Sequence, residues 1–199
     1  VGFFISAFER CVKFLTGKRG SDPVYDPLVF GIGEAHKQVM ELHAWINPYR
    51  SESEKNMNGA DDPMRKNHPG WLLEYSSSFI LDPGNPEVIE YLVKVIKDIV
   101  TKYNVDGIVF DDYFYPYEGT KNEDAYSQSL YKPEGKNVGD WRRENCNKLI
   151  ADIYAMIQET KPTVKFGIGP FGIWGGSSSV AASYGIEYLN TRERTNANS

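Results

Sequence analysis

The sequence predicts an α/β protein built around a parallel β-sheet, and two observations indicate this class. Three helix patterns are each followed within a few residues by a short apolar strand pattern, and this alternation is typical of parallel sheets. Each apolar run also ends in polar, aromatic or glycine residues. Parallel sheets carry their ligand sites at these strand ends, so the pattern indicates where function is to be sought.

The three helices are predicted from capping residues and apolar spacing. Asp26 and Asn85, each followed by proline, mark the starts of the first two helices, and the first runs to about Val39. Asp140 is expected to cap the third helix. The apolar stripes expected to face the sheet comprise Val88, Leu92, Val95, Ile96 and Ile99 in the second helix and Leu149, Ile150, Ile153 and Ile157 in the third.

Three apolar runs are expected to form the strands, at residues 40–47 (MELHAWIN), 105–112 (VDGIVFDD) and 164–171 (VKFGIGPF). The second run is apolar on both parities, as in parallel strands that are covered on both faces. The long polar segment 51–69 follows the first strand, where α/β folds carry functional loops. A doubly wound sheet is the rival interpretation, but no glycine-rich phosphate loop follows any of the strands. The sequence therefore predicts a TIM (β/α)8 barrel or part of one.

Composition restricts the class of function. The chain of 199 residues is long enough for one sizeable core, and we treat 1–199 as a single domain. A net charge of −5 argues against a nucleic-acid partner, which requires a basic surface. No apolar run approaches the ~20 residues that span a bilayer. The aromatic content of 14% is compatible with stacking on carbohydrate.

Cysteine usage and the first residue give two further expectations. Cys11 and Cys146 are too few for a disulfide framework and show no metal spacing, so both are expected to be buried thiols. The chain starts with Val1 and shows no signal peptide, so we expect it to begin inside a longer gene product. No cofactor is predicted, and the sequence leaves the oligomeric state open.

Residues 104–116 (NVDGIVFDDYFYP) contain the main candidate for a catalytic centre. An apolar strand runs directly into Asp111 and Asp112, at the end where the strands of a parallel barrel converge on one mouth. Ile108 and Phe110 are suited to packing on the helices, so Asp111, on the other parity, is expected to face the interior. Asp112 is expected to support it or to reach a partner at the rim. The non-functional alternative for both carboxylates is helix capping or loop bracing.

Aromatic and polar residues near these carboxylates suit the recognition of a sugar. The residues predicted to contact the substrate are His43, Trp45, Asn47, Tyr49, Arg50, Tyr113, Tyr115 and Trp174. His43, Trp45 and Asn47 share the parity that is expected to face the interior, and Gly167 and Gly169 leave room for a ligand. Packing is the alternative role for the tryptophans and for His43, and Arg50 could pair with an acid at the rim. His36 and His68 are expected to be surface residues.

Glycoside hydrolysis requires two carboxyl groups, ~5 to 5.5 Å apart in retaining enzymes and ~6.5 to 9.5 Å apart in inverting ones. Asp111 and Asp112 are not expected to form that pair, because adjacent strand residues point to opposite faces. Glu118, Asp140 and Glu187 are candidates for the second carboxylate, which could also lie outside these residues. A non-catalytic sugar-binding barrel is one alternative. A metal-dependent hydrolase using Asp111, Asp112 and His43 is another, although the sequence has no clustered ligand spacing.

Three long segments resemble one known family. Residues 25–50 (YDPLVF…HAWINPYR), 81–117 (LDPGNPEV…FDDYFYPY) and 141–174 (WRRENC…GPFGIW) are similar to the glycosyl-hydrolase-like 10 family, TIM-barrel proteins of bacteria that act on cell-envelope glycans. The early segment 14–20 (FLTGKRG) also resembles it. The resemblance implies a glycosidase whose acid lies in the FDDY element and whose HAWINPYR element lines the sugar site. It also implies export, since members are typically exported and often lipid-anchored.

The chain departs from the family pattern at three places. Val109 stands where members often have a polar residue, usually His, and Gly169 stands where they usually have Ser. The tail 188–199 does not resemble the family's continuation. By the resemblance, the first barrel strand is expected before Val1 and strands six to eight after Ser199, so the chain corresponds to about strands 2–5.

Overall fold

A computed structural model of the protein describes residues 26–52, 63–76, 78–111, 113–116 and 119–169. Within them, the elements in chain order are α1 (Pro27–Lys37), β1 (His43–Ile46), β2 (Arg50–Glu52), α2 (Pro63–Asn67), a 3-10 turn (Pro69–Trp71), β3 (Leu72–Glu74), β4 (Phe79–Leu81), α3 (Pro86–Lys102), β5 (Gly107–Phe110), α4 (Ala125–Tyr131), α5 (Val138–Thr160) and β6 (Lys165–Ile168). None of these helices is both long enough and apolar enough to cross a membrane.

The predicted starts of the first two long helices are confirmed. The Asp26 carboxylate accepts hydrogen bonds from the first amides of α1, at 2.9 Å from Leu28 N and 3.2 Å from Val29 N. The Asn85 side chain accepts from Glu87 N at 2.9 Å, at the start of α3. The end of α1 lies two residues before the predicted Val39, which leaves the helix with a φ of 57°.

The predicted cap of the third helix is wrong. Helix α5 begins at Val138, and the Asn137 side chain accepts from Gly139 N at 2.8 Å and from Asp140 N at 3.3 Å. Asp140 lies in the first turn, where it pairs with Arg143 and its negative charge interacts favourably with the helix dipole. Asparagine and aspartate are equally good caps, and the one that lies three residues earlier takes this role.

The predicted parallel sheet is confirmed for β1, β5 and β6, in the order β1-β5-β6. Ile46 pairs with Phe110, and Phe110 pairs with Ile168, so the three strands end level with one another. Each strand has four residues, shorter than the predicted run.

A second, antiparallel sheet in the order β2-β4-β3 was not predicted. It begins at Arg50–Glu52, and α2 lies at Pro63–Asn67, inside the segment that was predicted as one long loop. Its strands have three residues each, which is too short for a period-two pattern to be recognised in the sequence. The amide of Leu81 donates to Tyr49 O at 2.7 Å and so ties this sheet to the end of β1.

The core lies between one face of the parallel sheet and helices α3 and α5. Ile108 and Phe110 are fully buried in it, as predicted, and all five predicted stripe residues of α3 are buried. On α5, Leu149, Ile153 and Ile157 are fully buried, but Ile150 is only half-buried. The expectation for Ile150 is therefore wrong, because the buried stripe of α5 continues through Met156 instead.

The other residues that were singled out in the sequence have defined surroundings. Cys146 is buried, as predicted, and Cys11 lies outside the described residues. His36 is partly buried rather than a free surface residue, since its Nε2 lies 2.8 Å from the Asp106 carboxylate. His68 stacks on Trp71 with ring centroids 3.9 Å apart.

The opposite face of the parallel sheet is open among the described residues. Trp45 is 74% exposed there, and its register partners Val109 and Gly167 are half-buried. The His43 ring lies across Gly107, where an added Cβ would come within 2.7 Å of the ring. Glycine is therefore required at this position by close approach.

Truncation of Ile153 to alanine should lower the free energy of unfolding by about 2 to 5 kcal/mol, because it leaves a cavity between α5 and the sheet. Ile150→Ala, on the same helix but half-buried, is the matched control and should cost clearly less. Chemical denaturation followed by circular dichroism measures both. Equal losses for the two variants would contradict the assignment of the buried stripe.

Candidate active site

The carboxyl ends of β1 and β5 bring Asn47 and Asp111 next to each other. Ile46 and Phe110 are register partners, and Asn47 and Asp111 directly follow them. Phe110 is fully buried against the helices. Asp111 has the same parity as Val109, so it follows on the opposite face of the sheet, where it is half-buried. The Asp111 carboxylate accepts a hydrogen bond from Tyr113 N at 3.2 Å, so the chain turns immediately after it. Asp112 lies outside the described residues.

Two ring contacts join the loop after β5 to the segment after β1. The Arg50 guanidinium lies over the Tyr113 ring, 4.2 Å from its centroid, a cation–π geometry. Tyr49 and Phe114 meet edge to face with centroids 6.2 Å apart. Tyr49 is 1% exposed, so it packs below this surface, and direct contact with a substrate stays a prediction for it. Tyr113 is 38% exposed and keeps part of its ring open.

His43 lies at the opposite end of β1 from Asp111. Its Nε2 is 3.0 Å from the Glu41 carboxylate, which accepts two hydrogen bonds from Lys165 Nζ at 2.7 and 2.8 Å. The hydrogen bonds from Lys165, which have the larger effect, and from His43 lower the pKa of Glu41. The structure therefore groups Asn47, Arg50 and Tyr113 around Asp111 but places His43 in a separate ionic cluster, and a substrate contact for it stays a prediction.

Two buried polar atoms near the strand ends have no hydrogen-bond partner among the described residues, Asn47 Oδ1 and the Tyr115 hydroxyl. Buried polar atoms are nearly always hydrogen-bonded, so these two are available for a hydrogen bond with a bound molecule. Burial is also the main cause that raises the pKa of Tyr115. Trp174, which was predicted to contact the substrate, lies outside the described residues.

The candidates for the second carboxylate have different outcomes. Glu118 and Glu187 lie outside the described residues. Asp140 is exposed and paired with Arg143 in the first turn of α5. None of the three is placed beside Asp111 by the described contacts, so the second carboxylate stays unassigned.

A buried charged cluster under the loop after β5 was missed in the sequence. We call it the Arg142 cluster and define it as Arg142, Asp124 and Asp82. Arg142 Nε and a terminal nitrogen of Arg142 each donate to an oxygen of Asp124 at 2.7 Å. Asp124 is fully buried and Asp82 is 3% exposed. Each aspartate lies in a polar, turn-forming stretch, so neither carries a sequence signal for burial.

Within the Arg142 cluster, Asp82 has a pKa well above the ordinary value of an aspartate. Its pKa is raised to about 6, chiefly by burial and secondarily by the neighbouring Asp124 carboxylate, while a hydrogen bond with Ser127 and one from Gly84 N oppose the shift. The Gly84 amide donates to it at 2.8 Å. Ser127 donates its single hydroxyl hydrogen to Asp124 O at 3.0 Å, and a protonated Asp82 can donate to that same hydroxyl.

The parallel sheet, with a carboxylate, an amide and aromatic rings at its carboxyl end, is that of an α/β protein with a candidate site at its strand ends. The chain belongs to the Glycosyl hydrolase-like 10 family, whose model matches residues 1–198. This confirms the resemblance on which the sequence interpretation depended. The match also includes nearly all of the tail 188–199, so the expectation that the tail departs from the family is wrong.

Relatives of known name cover most of this chain. It is 43% identical over 179 residues to "Glycosyl hydrolase YngK" of Bacillus subtilis (strain 168), covering 86% of this chain and 35% of that protein. It is 37% identical over 197 residues to "Glycosyl hydrolase DigH" of Escherichia coli (strain K12), covering 89% of this chain and 45% of that protein. The chain thus spans less than half the length of these relatives.

Solved structures overlap the chain only in part. The α-galactosidase from Lactobacillus brevis has a TM-score of 0.45 at 21% identity, over 75% of this chain and 19% of that one. The α-L-fucosidase isoenzyme 2 from Paenibacillus thiaminolyticus has a TM-score of 0.48 at 16% identity, over 71% and 22%. Because these overlaps are partial, the fold assignment rests on the strand pairing described above.

Asp82→Asn should change how stability depends on pH. The folded pKa of Asp82, about 6, lies above the ordinary value of 3.8. Between these values the folded state holds a proton that the unfolded state has lost, so Asp82 costs increasingly more stability as the pH rises. Relative to wild type, Asp82→Asn should therefore gain about 2 to 3 kcal/mol between about pH 4 and pH 7.

Urea denaturation at a series of pH values measures this difference. Asp98→Asn, on the outer side of α3, is the control and should leave the shape of the curve unchanged, because a solvated pair contributes little. A curve for Asp82→Asn that runs parallel to the wild-type curve would show that the buried carboxyl titrates normally.

Proposed function

We propose that this chain forms part of a glycoside hydrolase that cleaves a bacterial cell-envelope polysaccharide, with the glycan strands of peptidoglycan as the first candidate substrate. The observation that carries the proposal is the position of Asp111, directly after β5 and beside Asn47, with Tyr113 next to it. Membership of a glycosyl hydrolase-like family supports the same chemistry.

Asp111 is the proposed principal carboxylate, and Asp112 its partner or support. In this chemistry one carboxyl group protonates the glycosidic oxygen as the bond to the anomeric carbon breaks. A second carboxylate attacks that carbon or takes a proton from the water that attacks it. Asp111 is half-buried, which suits either role, because it is reachable by a substrate and partly shielded from solvent.

The rings and amide around Asp111 supply the proposed sugar contacts. Trp45, at 74% exposure, and Tyr113, at 38%, present ring faces on which a pyranose can stack. Asn47 Oδ1, which has no partner among the described residues, is suited to accept a hydrogen bond from a sugar hydroxyl. Arg50, over the Tyr113 ring, would hold that ring in place.

We further propose that the parallel sheet is part of a TIM barrel. The face that carries Trp45 is open among the described residues, as the inside of an incomplete barrel would be. Strands β1 and β6 each have one edge without a partner among the described residues, and barrel closure removes such edges. The relatives are longer than this chain, and residues of that additional length would form the remaining strands of the barrel. Export from the cytoplasm is also proposed, because the proposed substrate lies in the cell envelope.

A non-catalytic sugar-binding barrel is the second candidate, and one observation favours it. Val109 is half-buried on the open face, beside Trp45 in the register, at a position where the family resemblance leads us to expect a polar residue. An apolar residue two places before Asp111 removes a hydrogen-bonding group that catalysis could require.

Asp111→Asn in the full-length protein should lower turnover about 10²- to 10⁴-fold while glycan binding is retained, because the amide can neither donate an acidic proton nor act as a nucleophile. Release of reducing ends from purified glycan strands measures turnover, and calorimetry measures binding. Asp98→Asn, outside the site, should keep full activity.

The same assay separates the alternatives. Glycan binding by the wild type with no turnover would establish the sugar-binding barrel and exclude the hydrolase. Loss of wild-type activity on treatment with a chelator, with recovery on addition of zinc, would identify a metal-dependent hydrolase instead.

A further inference from the structure

The far end of the loop that carries Asp111 is held by one side chain of α5. Arg142 makes the two 2.7 Å bonds to Asp124 described above. It also donates to Thr120 O at 2.7 Å and to Lys121 O at 3.1 Å. These bonds bridge 18 to 22 residues in sequence and join the loop to a helix of the core. Arg142 therefore fixes the point where the loop enters α4.

Other contacts hold the rest of the same loop. The Tyr75 hydroxyl and Thr120 Oγ1 are 2.7 Å apart, which ties the loop to the end of β3. The Tyr115 ring centroid lies 5.9 Å from the Arg142 guanidinium. At the near end, Tyr113 lies under Arg50. The loop thus has attachments at both ends, and Arg142 supplies four hydrogen bonds at the far one.

Stability alone is a poor explanation for this arrangement. The side chain of Arg142 is 13% exposed and that of Asp124 is fully buried. Removing both charges from water costs about as much as their attraction returns. What the pair supplies is direction, because a guanidinium forms a planar fork that can bind a carboxylate and neighbouring carbonyl oxygens at the same time.

We propose that Arg142 is a positioning residue that, through Asp124 and the carbonyl groups of Thr120 and Lys121, holds the loop after β5 so that Asp111 and Tyr113 keep their place in the site. The expected effect of Arg142 on turnover rests on the proposed hydrolase function. Its effect on the position of the loop does not depend on that function, and it can be measured separately.

The test compares Arg142→Gln and Arg142→Lys with Arg143→Gln in the full-length protein. Arg143 is the neighbouring residue on the same helix and pairs with Asp140 at the surface, so it is a matched control. Hydrogen exchange of the amides at 113–115 and 119–124 reports on the loop, and exchange in α3 and β5 reports on the core. Turnover and KM on glycan strands are measured in parallel.

Arg142→Gln should raise loop exchange about tenfold or more while exchange in α3 and β5 stays near wild type. kcat should fall by about 10- to 100-fold with a much smaller change in KM, as expected when a reacting group is displaced by about 1 Å. Arg142→Lys should resemble Arg142→Gln, because an ammonium cannot form the fork. Arg143→Gln should leave all of these values unchanged.

Two results would overturn the proposal. An equal rise of exchange in the loop, α3 and β5 would show that Arg142 stabilises the whole fold, and full wild-type behaviour of Arg142→Lys would show that charge without geometry is sufficient. If Arg142→Gln does not fold, the isosteric Asp124→Asn gives the same comparison. Absence of wild-type turnover would refute the proposed function, and the exchange data would still decide the role of Arg142.

Discussion

The packing of Ile108 and Phe110 against α3 and α5 is the constraint on which the rest of the site depends. Both side chains are fully buried, so β5 cannot rotate about its long axis without moving two apolar side chains into water. Each of these transfers costs about 1.5 to 3 kcal/mol. Because side chains alternate along a strand, burial of Phe110 determines that Asp111 follows on the opposite parity. The orientation of the candidate acid is thus determined by its apolar neighbours.

Local sequence was sufficient where a structure depends on local contacts. Asp26 and Asn85 each cap a helix through amides two or three residues away, so both starts could be predicted. It failed where two local solutions compete, as for Asn137 and Asp140. It also failed for the second sheet, whose three-residue strands are defined by long-range pairing such as Arg50 with Ile80. Short strands have no periodicity of their own.

The candidate site divides in the same way. Asp111 and the aromatic residues beside it stand out because they interrupt or follow an apolar strand. The Arg142 cluster does not stand out, because 18 residues separate Arg142 from Asp124 and each looks like an ordinary surface charge. Exposed pairs such as Glu90 with Lys94 have clearer helical spacing, yet they contribute little, because both partners remain in water. The energetic contribution of a charge depends on its burial, and burial is determined by the tertiary structure.

The register of the parallel sheet arranges its open face in layers that run across the three strands. His43, Gly107 and Lys165 form the lowest layer, and Trp45, Val109 and Gly167 form the next. Asn47, Asp111 and Gly169 follow these strands as the top layer. In the lowest layer the His43 ring covers Gly107, and in the next layer the side chains decrease in size from Trp45 through Val109 to Gly167. A side chain at Gly107 would compete with the His43 ring for the same space, and Gly167 leaves room beside Val109. The polar groups of the top layer stand where a ligand can enter.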